Sequence, residues 1–453
     1  MTTSMAAPLS EVLLDSLAAA LPGHLLRQRW FAGKGRAPAP VRITSIDELR
    51  PPWPGLVRVV IECDGATQID HYQLLLGLRP DDAVDGGDAA TVCAVTVGGR
   101  RARCFDALAD PEMAIALLDH VAPSSDVHHA RPIGVEQSNT SIVYDDRLIL
   151  KVYRRLASPN PDVEVTVGLA SVGFAEVAEP LAVWRSGGQD LALLQRFLSG
   201  ATDGWALMVA AAVDVMNGHA VIEGASPDGS GGDRVDIAAL GDVTARLHLA
   251  LAAAFGTWPA DPGAWADAAL ARMDAAAHPG FDRAAVAAAI ERIRGLGDGG
   301  RAIRIHGDYH LGQVLRTASG WHVLDFEGEP MRPVAERRIP ASPLRDVAGM
   351  LRSFAYAAAA ARRAADVTPG ADADAMLRRW EDSLRNAFLD AYLAQIAGFG
   401  LLPEDQAALA ALLDAFELDK AVYEVGYEQG NRPDWVHIPV AGVHAVLARQ
   451  GAS

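Results

Sequence analysis

His306-Gly307-Asp308-Tyr309-His310-Leu311-Gly312-Gln313, followed by Leu324-Asp325-Phe326-Glu327, is the run on which the reading of this chain turns. It sets two carboxylates and a carboxamide at spacings suited to phosphoryl transfer from a magnesium-bound nucleotide. Asp308 stands in a tight His-Gly-Asp turn, where it can orient a hydroxyl for attack. Gln313 follows five residues on, the offset at which protein kinases carry a metal-binding asparagine after the aspartate of their catalytic loop. Asp325 ends a strand-like run, Trp321-His322-Val323-Leu324, seventeen positions after Asp308. Phosphoryl transfer asks for positioning and charge neutralisation more than for covalent chemistry, and oxygen ligands provide both. His306 and His310, four apart, also invite a zinc reading, but they flank a glycine turn with no third His or Cys ligand nearby.

Upstream, the pieces of an ATP site occur in a sensible order. Glu136-Gln137-Ser138-Asn139-Thr140-Ser141 is a polar turn between apolar β-type runs, and small residues such as Ser138 let backbone N–H groups approach phosphate. There is no glycine-rich kinase loop and no Walker motif. Lys151 lies inside the apolar strand Leu148-Ile149-Leu150-Lys151-Val152-Tyr153, where an unpaired ammonium is expensive to bury. Holding phosphates with a helix glutamate beside it resolves that cost, and Glu164 is placed to be the partner. The run Leu193-Leu194-Gln195-Arg196-Phe197-Leu198 then leads into Gly200-Ala201-Thr202-Asp203-Gly204-Trp205, where a hinge would offer backbone groups to adenine beside Gln195 and Phe197.

The chain has 453 residues, more than one hydrophobic core usually supports. Half the residues are apolar and 21% are charged, a globular composition. A net charge of −17 speaks against a nucleic-acid backbone or an anionic membrane as partner. No apolar run approaches the roughly 20 residues of a membrane span, and the first residues lack the basic region of a secretory signal. Three widely spaced cysteines, Cys63, Cys93 and Cys104, fit a reduced, cytoplasmic protein. Short β-type runs at 57–61, 71–76, 92–97, 142–144, 148–153 and 191–197 fill the front. From about 201 the composition turns to alanine-rich helical periodicity, at 237–255, 284–295, 341–364 and 376–397. The expectation is a bilobal α+β protein with divisions at 1–90, 91–200 and 201–453, interrupted by a Gly/Ser-rich linker at 224–232. Glu327 and Glu329 read equally as contacts to metal or sugar and as solvated loop acids, and Asp346 equally as a structural acid at a helix start and as a site residue.

A second unusual cluster, Tyr423-Glu424-Val425-Gly426-Tyr427-Glu428-Gln429-Gly430-Asn431-Arg432-Pro433-Asp434-Trp435, concentrates aromatics, acids, an amide and an arginine. Sugar hydroxyls need polar partners and sugar faces stack on aromatic rings, so this composition fits a carbohydrate acceptor subsite. Together with Trp30-Phe31-Ala32-Gly33-Lys34-Gly35-Arg36 and the closing Asn431-Arg432-Pro433-Asp434-Trp435, these segments resemble the maltokinase family, within the aminoglycoside-phosphotransferase-like (eukaryotic-kinase-like) superfamily. The resemblance runs over nearly the whole chain. It implies a protein-kinase-like fold: an N-lobe of an N-terminal cap subdomain plus a β-rich intermediate subdomain, and a helical C-lobe. It implies Asp308 as catalytic aspartate, Gln313 and Asp325 as Mg²⁺ ligands, and Lys151 with Glu164 on the phosphates of ATP. On the acceptor side it places His310, Glu424, Tyr427, Glu428, Asn431, Arg432 and Trp435. The implied reaction makes maltose 1-phosphate from maltose and ATP, in α-glucan synthesis from trehalose, with trehalose synthase as a partner of some relatives. Two rival readings are a kinase of an aminosugar (glucosamine) or aminoglycoside on the same scaffold, and a non-catalytic pseudokinase. Retention of Lys151, Asp308, Gln313 and Asp325 argues against the second.

Overall fold

The apolar runs at 57–61 and 71–76 belong to two longer strands that are buried along nearly their whole length, as strands covered on both faces are. The computed structural model describes residues 9–31, 33, 40–65, 69–81, 91–133, 139–218, 235–275, 278–329, 332–364 and 371–451. The chain forms two compact units: Met1–Glu164 with Glu179–Ser199, and Val165–Ala178 with Gly200–Ser453.

In the first unit, helix α1 (Leu9–Arg27) precedes strands β1 (Arg42–Arg50), β2 (Gly55–Asp64), β3 (Ile69–Pro80), β4 (Thr91–Val97) and β5 (Arg100–Asp106). They form an antiparallel sheet in the order β1-β2-β3-β5-β4. Leu13, Leu17, Leu21 and Leu25 of α1 pack on one face of it, a helical stripe at spacings of four. The sheet therefore runs on to Asp106, past residue 90, because β3 pairs directly with β5. A break in composition after residue 78 separates strands here without separating sheets; the Asp/Gly-rich stretch itself and the 224–232 linker lie outside the described residues.

Helix α2 (Pro111–Val121) leads to a second antiparallel sheet of β6 (Ala130–Ile133), β7 (Asn139–Tyr144), β8 (Leu148–Tyr153), β9 (Pro180–Ser186) and β10 (Gln189–Arg196), ordered β6-β7-β8-β10-β9, with α3 (Pro161–Ser171) between β8 and β9 in sequence. One core joins Leu56 and Leu75 of the first sheet, Leu117 and Leu118 of α2, and Leu150 and Val152 of the second sheet. Buried Gln73 links the sheets, donating from Nε2 to the carbonyls of Tyr153 (2.7 Å) and Leu191 (2.6 Å).

The second unit is mostly helical. Its elements are β11 (Thr202–Asp203), α4 (Gly204–Met216), α5 (Ile237–Phe255), β12 (Thr257–Pro259), α6 (Pro262–Ala275), α7 (Arg283–Glu291), β13 (Arg301–Ile303), β14 (Val314–Thr317), β15 (Gly320–Val323), α8 (Val334–Arg337), α9 (Leu344–Ala364), α10 (Ala371–Ile396), α11 (Gln406–Asn431) and α12 (His437–Gly451). The hairpin β14–β15 carries Asp325 at its end, and β11 adds to it. Asp203 in the segment read as a hinge caps α4, its carboxylate accepting from the Ala206 N–H at 2.8 Å. Among the described residues, two helices of 19 residues, α1 and α5, are long and apolar enough to cross a membrane by length and composition alone, where the sequence reading expects no such run. Each buries one face in the fold: α1 on the first sheet, α5 through Leu240, Leu247 and Leu251 in the core of its unit.

Candidate active site

In the second unit, the His-Gly-Asp turn emerges from β13 and is held from four sides. Gly307 adopts φ +85°, a left-handed conformation that glycine enters without a Cβ penalty. Asp346, in the first turn of α9, accepts the backbone N–H of His306 at 2.8 Å on one carboxylate oxygen and that of Gly307 at 2.9 Å on the other. Behind it, fully buried His248 of α5 places Nε2 3.2 Å from Asp346 Oδ2 and Nδ1 2.9 Å from the Tyr392 hydroxyl of α10. Burial pushes the Asp346 carboxyl up, but the His248 bond, the nearby histidines and the Gly307 N–H outweigh it and hold the group below its ordinary range. His306 donates from Nε2 to the Leu324 carbonyl at 2.9 Å, which ties the turn to the residue before Asp325. The Tyr309 hydroxyl meets Thr244 of α5 at 2.9 Å.

Two glycines let helices press onto the loop. A Cβ at Gly349 of α9 would lie 2.6 Å from the Tyr309 carbonyl oxygen, and one at Gly204 of α4 would lie 2.7 Å from the Leu311 carbonyl oxygen. Gly349→Ala is therefore expected to destabilise the protein by about 1–3 kcal/mol through overpacking against backbone that cannot yield. Denaturant unfolding measures it; an unchanged midpoint contradicts the close approach.

Gln313 and Asp325 come together. Leu324 donates its N–H to the Gln313 carbonyl at 2.9 Å, and Gln313 Nε2 lies 3.4 Å from Asp325 Oδ2. Asp325 itself adopts φ +61°, unusual for a residue other than glycine, and such strain is stored most often at functional positions. A carboxylate with a carboxamide beside it offers hard oxygen donors that suit Mg²⁺, which is commonly held by one or two carboxylates plus substrate phosphates.

Asp308 opens on a cavity of about 670 Å³ within this unit. Lys420 of α11 sets its ammonium 3.5 Å from Asp308 Oδ1 and 3.7 Å from Glu329 Oε1, above the Tyr423 ring at 5.1 Å. Burial lowers the Lys420 pKa, yet Asp308, Glu329 and Glu424 keep it above the ordinary lysine range, so the group is charged. His310 Nε2 lies 3.9 Å from Asp308 Oδ2. Trp258 and Trp265 supply aromatic wall to the cavity.

Of the terminal cluster, Tyr423 lines the cavity that holds Asp308, whereas the acceptor residues named from sequence at 424–435 do not. Glu424 accepts two bonds from the buried guanidinium of Arg352, at 3.0 and 2.9 Å. Buried Glu428 is taken by the Tyr356 hydroxyl (3.1 Å) and by Arg432 (2.9 and 2.6 Å). Arg432 lies over Trp435, whose ring stacks on Tyr356, and over exposed Tyr427; Asn431 donates to the Tyr427 carbonyl. None of Glu424, Tyr427, Glu428, Asn431, Arg432 and Trp435 lines the cavity that holds Asp308; Lys420 and Tyr423, earlier on the same helix, do.

In the first unit, Lys151 donates from Nζ to Asp162 Oδ2 at 2.9 Å, and the Tyr153 hydroxyl meets the same oxygen at 2.9 Å. Asp162 is buried in the first turn of α3, two residues before Glu164; the sequence reading singled out only the glutamate. Its signal was Asn160-Pro161-Asp162: the Asn160 side chain accepts the Asp162 N–H at 2.9 Å and fixes the helix start. Gln195 is buried at the end of β10, and Phe197 follows it, its N–H bonded to the Arg147 carbonyl at 2.8 Å. Ser138 lies outside the described residues. Lys151→Met is expected to raise the KM for ATP about 10- to 100-fold, the equivalent of one charge-assisted hydrogen bond of roughly 1.5–3 kcal/mol. Initial rates over a range of ATP measure it, and an unaltered KM would remove Lys151 from the nucleotide.

Comparison with known proteins places these features in a family. The maltokinase N-terminal cap domain matches residues 24–110, and the phosphotransferase enzyme family matches residues 129–398. A glucosamine kinase of Mycolicibacterium smegmatis is 31% identical over 334 residues, 70% of this chain and 79% of the relative. One of Streptacidiphilus jiangxiensis is 30% identical over 351 residues, 73% and 76% of the two chains. In fold, the chain is similar to a glucosamine kinase in complex with glucosamine, ADP and inorganic phosphate, with a TM-score of 0.66 and 23% identity, over 98% of this chain and 100% of that one.

Proposed function

The chain belongs to the phosphotransferase enzyme family and its relatives are sugar kinases; on that premise we propose that it transfers the γ-phosphoryl group of ATP to a hydroxyl of maltose. The observation that carries the reaction type is the held loop: Asp308 opens on a cavity, while Gln313 and Asp325 converge a few residues away. Asp308 orients the acceptor hydroxyl and takes its proton as the oxygen attacks phosphorus. Lys151 supplies positive charge to the nucleotide phosphates. Asp325 and Gln313 would hold the Mg²⁺ that arrives with the nucleotide, whose charge offsets that spreading over the phosphate oxygens. Lys420 pairs with Asp308 and Glu329 and so fixes the carboxylate that faces the acceptor.

Maltose is supported by the maltokinase-type cap at 24–110. Glucosamine is the second reading, favoured by the two curated relatives. The similar fold of a glucosamine kinase covers nearly all of this chain, so the cap by itself does not separate the two acceptors. Sugar-dependent ADP release across maltose, glucose, glucosamine and an aminoglycoside decides between them, with the phosphate position of the product assigned by NMR. Phosphorylation of maltose at the anomeric oxygen is the expected result. Turnover confined to glucosamine overturns the maltose assignment and leaves the kinase assignment standing.

A further inference from the structure

Two of the three cysteines face each other across neighbouring strands of the first sheet. In the register of β4 on β5, Cys93 stands opposite Cys104. Directly opposed residues of an antiparallel pair have Cα atoms about 4.5–5.5 Å apart, inside the roughly 4.4–6.8 Å that a disulfide spans. Opposed side chains share one face of the sheet, and both cysteines pack on the same cluster beneath α1. The neighbouring Cys104 thiol holds Cys93 below the ordinary thiol range against the opposing effect of burial, while the Cys93 thiol and burial lift Cys104 well above it. Cys104 is fully buried and Cys93 only partly, so a small oxidant meets Cys93 first. A register shift between Thr91 and Cys93 marks a bulge in β4, the edge strand of the sheet, and bulges re-aim the side chains beside them.

We propose that Cys93 and Cys104 form an oxidation-sensitive dithiol that closes reversibly to a disulfide when the chain meets a peroxide. The Cys93 thiolate attacks one peroxide oxygen and the O–O bond breaks. The departing hydroxide leaves as water with the proton that the thiol gave up, and Cys93 becomes a sulfenic acid. The Cys104 sulfur then attacks the Cys93 sulfur, expelling hydroxide, which takes the Cys104 proton and leaves as a second water. Two thiols lose two electrons in all, and one peroxide is reduced to two waters. Cys63 has no part in this. It lies on β2 opposite Asp70, and burial with the charges of Asp70 and Asp64 pushes its thiol up to about 11. The new bond pins the edge strand β4 to β5, so the cap region stiffens under oxidation.

The test treats the full chain with hydrogen peroxide, alkylates the remaining thiols and maps them by mass spectrometry. Alkylatable thiols are expected to fall from three to one, with a Cys93–Cys104 cross-linked peptide that dithiothreitol reverses and with Cys63 alkylated. Cys63→Ser keeps the cross-link, and Cys93→Ser loses it while Cys104 stays alkylatable. Three thiols recovered from treated wild type, Cys93 over-oxidised without a cross-link, or a bridge that includes Cys63 overturns the proposal.

Discussion

Asp308→Asn is expected to lower kcat by about 10²–10⁴-fold, the usual worth of a positioned general base, while nucleotide binding stays near its wild-type level. The variant keeps the shape of the side chain and the loop that carries it. It loses the charge that accepts the hydroxyl proton and that pairs with Lys420 at 3.5 Å. The anchors of the turn, Asp346 on the His306 and Gly307 amides and His306 on the Leu324 carbonyl, do not involve the Asp308 side chain, so the fold has no reason to change. Steady-state kinetics with either sugar, beside calorimetric titration of nucleotide, separate the two effects. Turnover within a few-fold of wild type would show that another group handles the proton. A parallel loss of nucleotide binding would show that Asp308 belongs to the nucleotide instead.

Asp346→Ala carries the largest expected effect on stability, about 3–5 kcal/mol, because several buried donors lose their acceptor at roughly 1–3 kcal/mol each. It strands two backbone N–H groups of the catalytic turn and the buried His248 ring that now meets a carboxylate. Activity should fall as well, because the turn that aims Asp308 loses both of its backbone anchors. Asp346→Asn keeps the volume and separates packing from charge. The sign of the pH dependence follows from the lowered pKa of the folded Asp346 carboxyl. Its stabilising contribution is present above the unfolded value of about 3.9 and is lost as pH falls through the lower folded value. The stability gap between wild type and Asp346→Asn should therefore be full near neutrality and shrink on acidification. Equilibrium unfolding at several pH values measures the gap; a gap that widens toward acid contradicts the assignment.

The nearness of Gln313 to Asp325 was legible because the two lie in one short stretch with Asp308, and the hairpin β14–β15 explains the interval between the acids. Asp346 was ambiguous for a physical reason: an acid at a helix start is a common cap, and nothing in the spacing shows that its carboxylate turns to another segment. Lys420 escaped notice because a lysine in a helix ordinarily faces solvent, and Glu329 stayed ambiguous because a glutamate in a loop does too. The packing of α11 sets the Lys420 ammonium between Asp308 and Glu329. The terminal cluster has protein partners that its spacing does not show. Its composition suits a sugar, but Arg352 and Tyr356 of α9 claim Glu424 and Glu428, and sequence spacing does not reveal partners about 72 residues upstream. Lys151 was identified from the cost of burying its charge, and Glu164 was named as the carboxylate beside it; Asp162, two residues earlier on the same helix, also takes the ammonium, at 2.9 Å. The helical unit was readable from its period, whereas the first sheet was cut too early because β3 pairs with a strand that comes after the composition break.

The most direct test of the central claim follows the labelled γ-phosphoryl group of ATP in the presence of Mg²⁺, with maltose and with glucosamine, for wild type and for Asp308→Asn side by side. The account predicts label on the sugar in amounts equal to the ADP formed, with transfer by the variant down about 10²–10⁴-fold. Label that reaches only water, or appears on the sugar equally well without the Asp308 carboxylate, contradicts it.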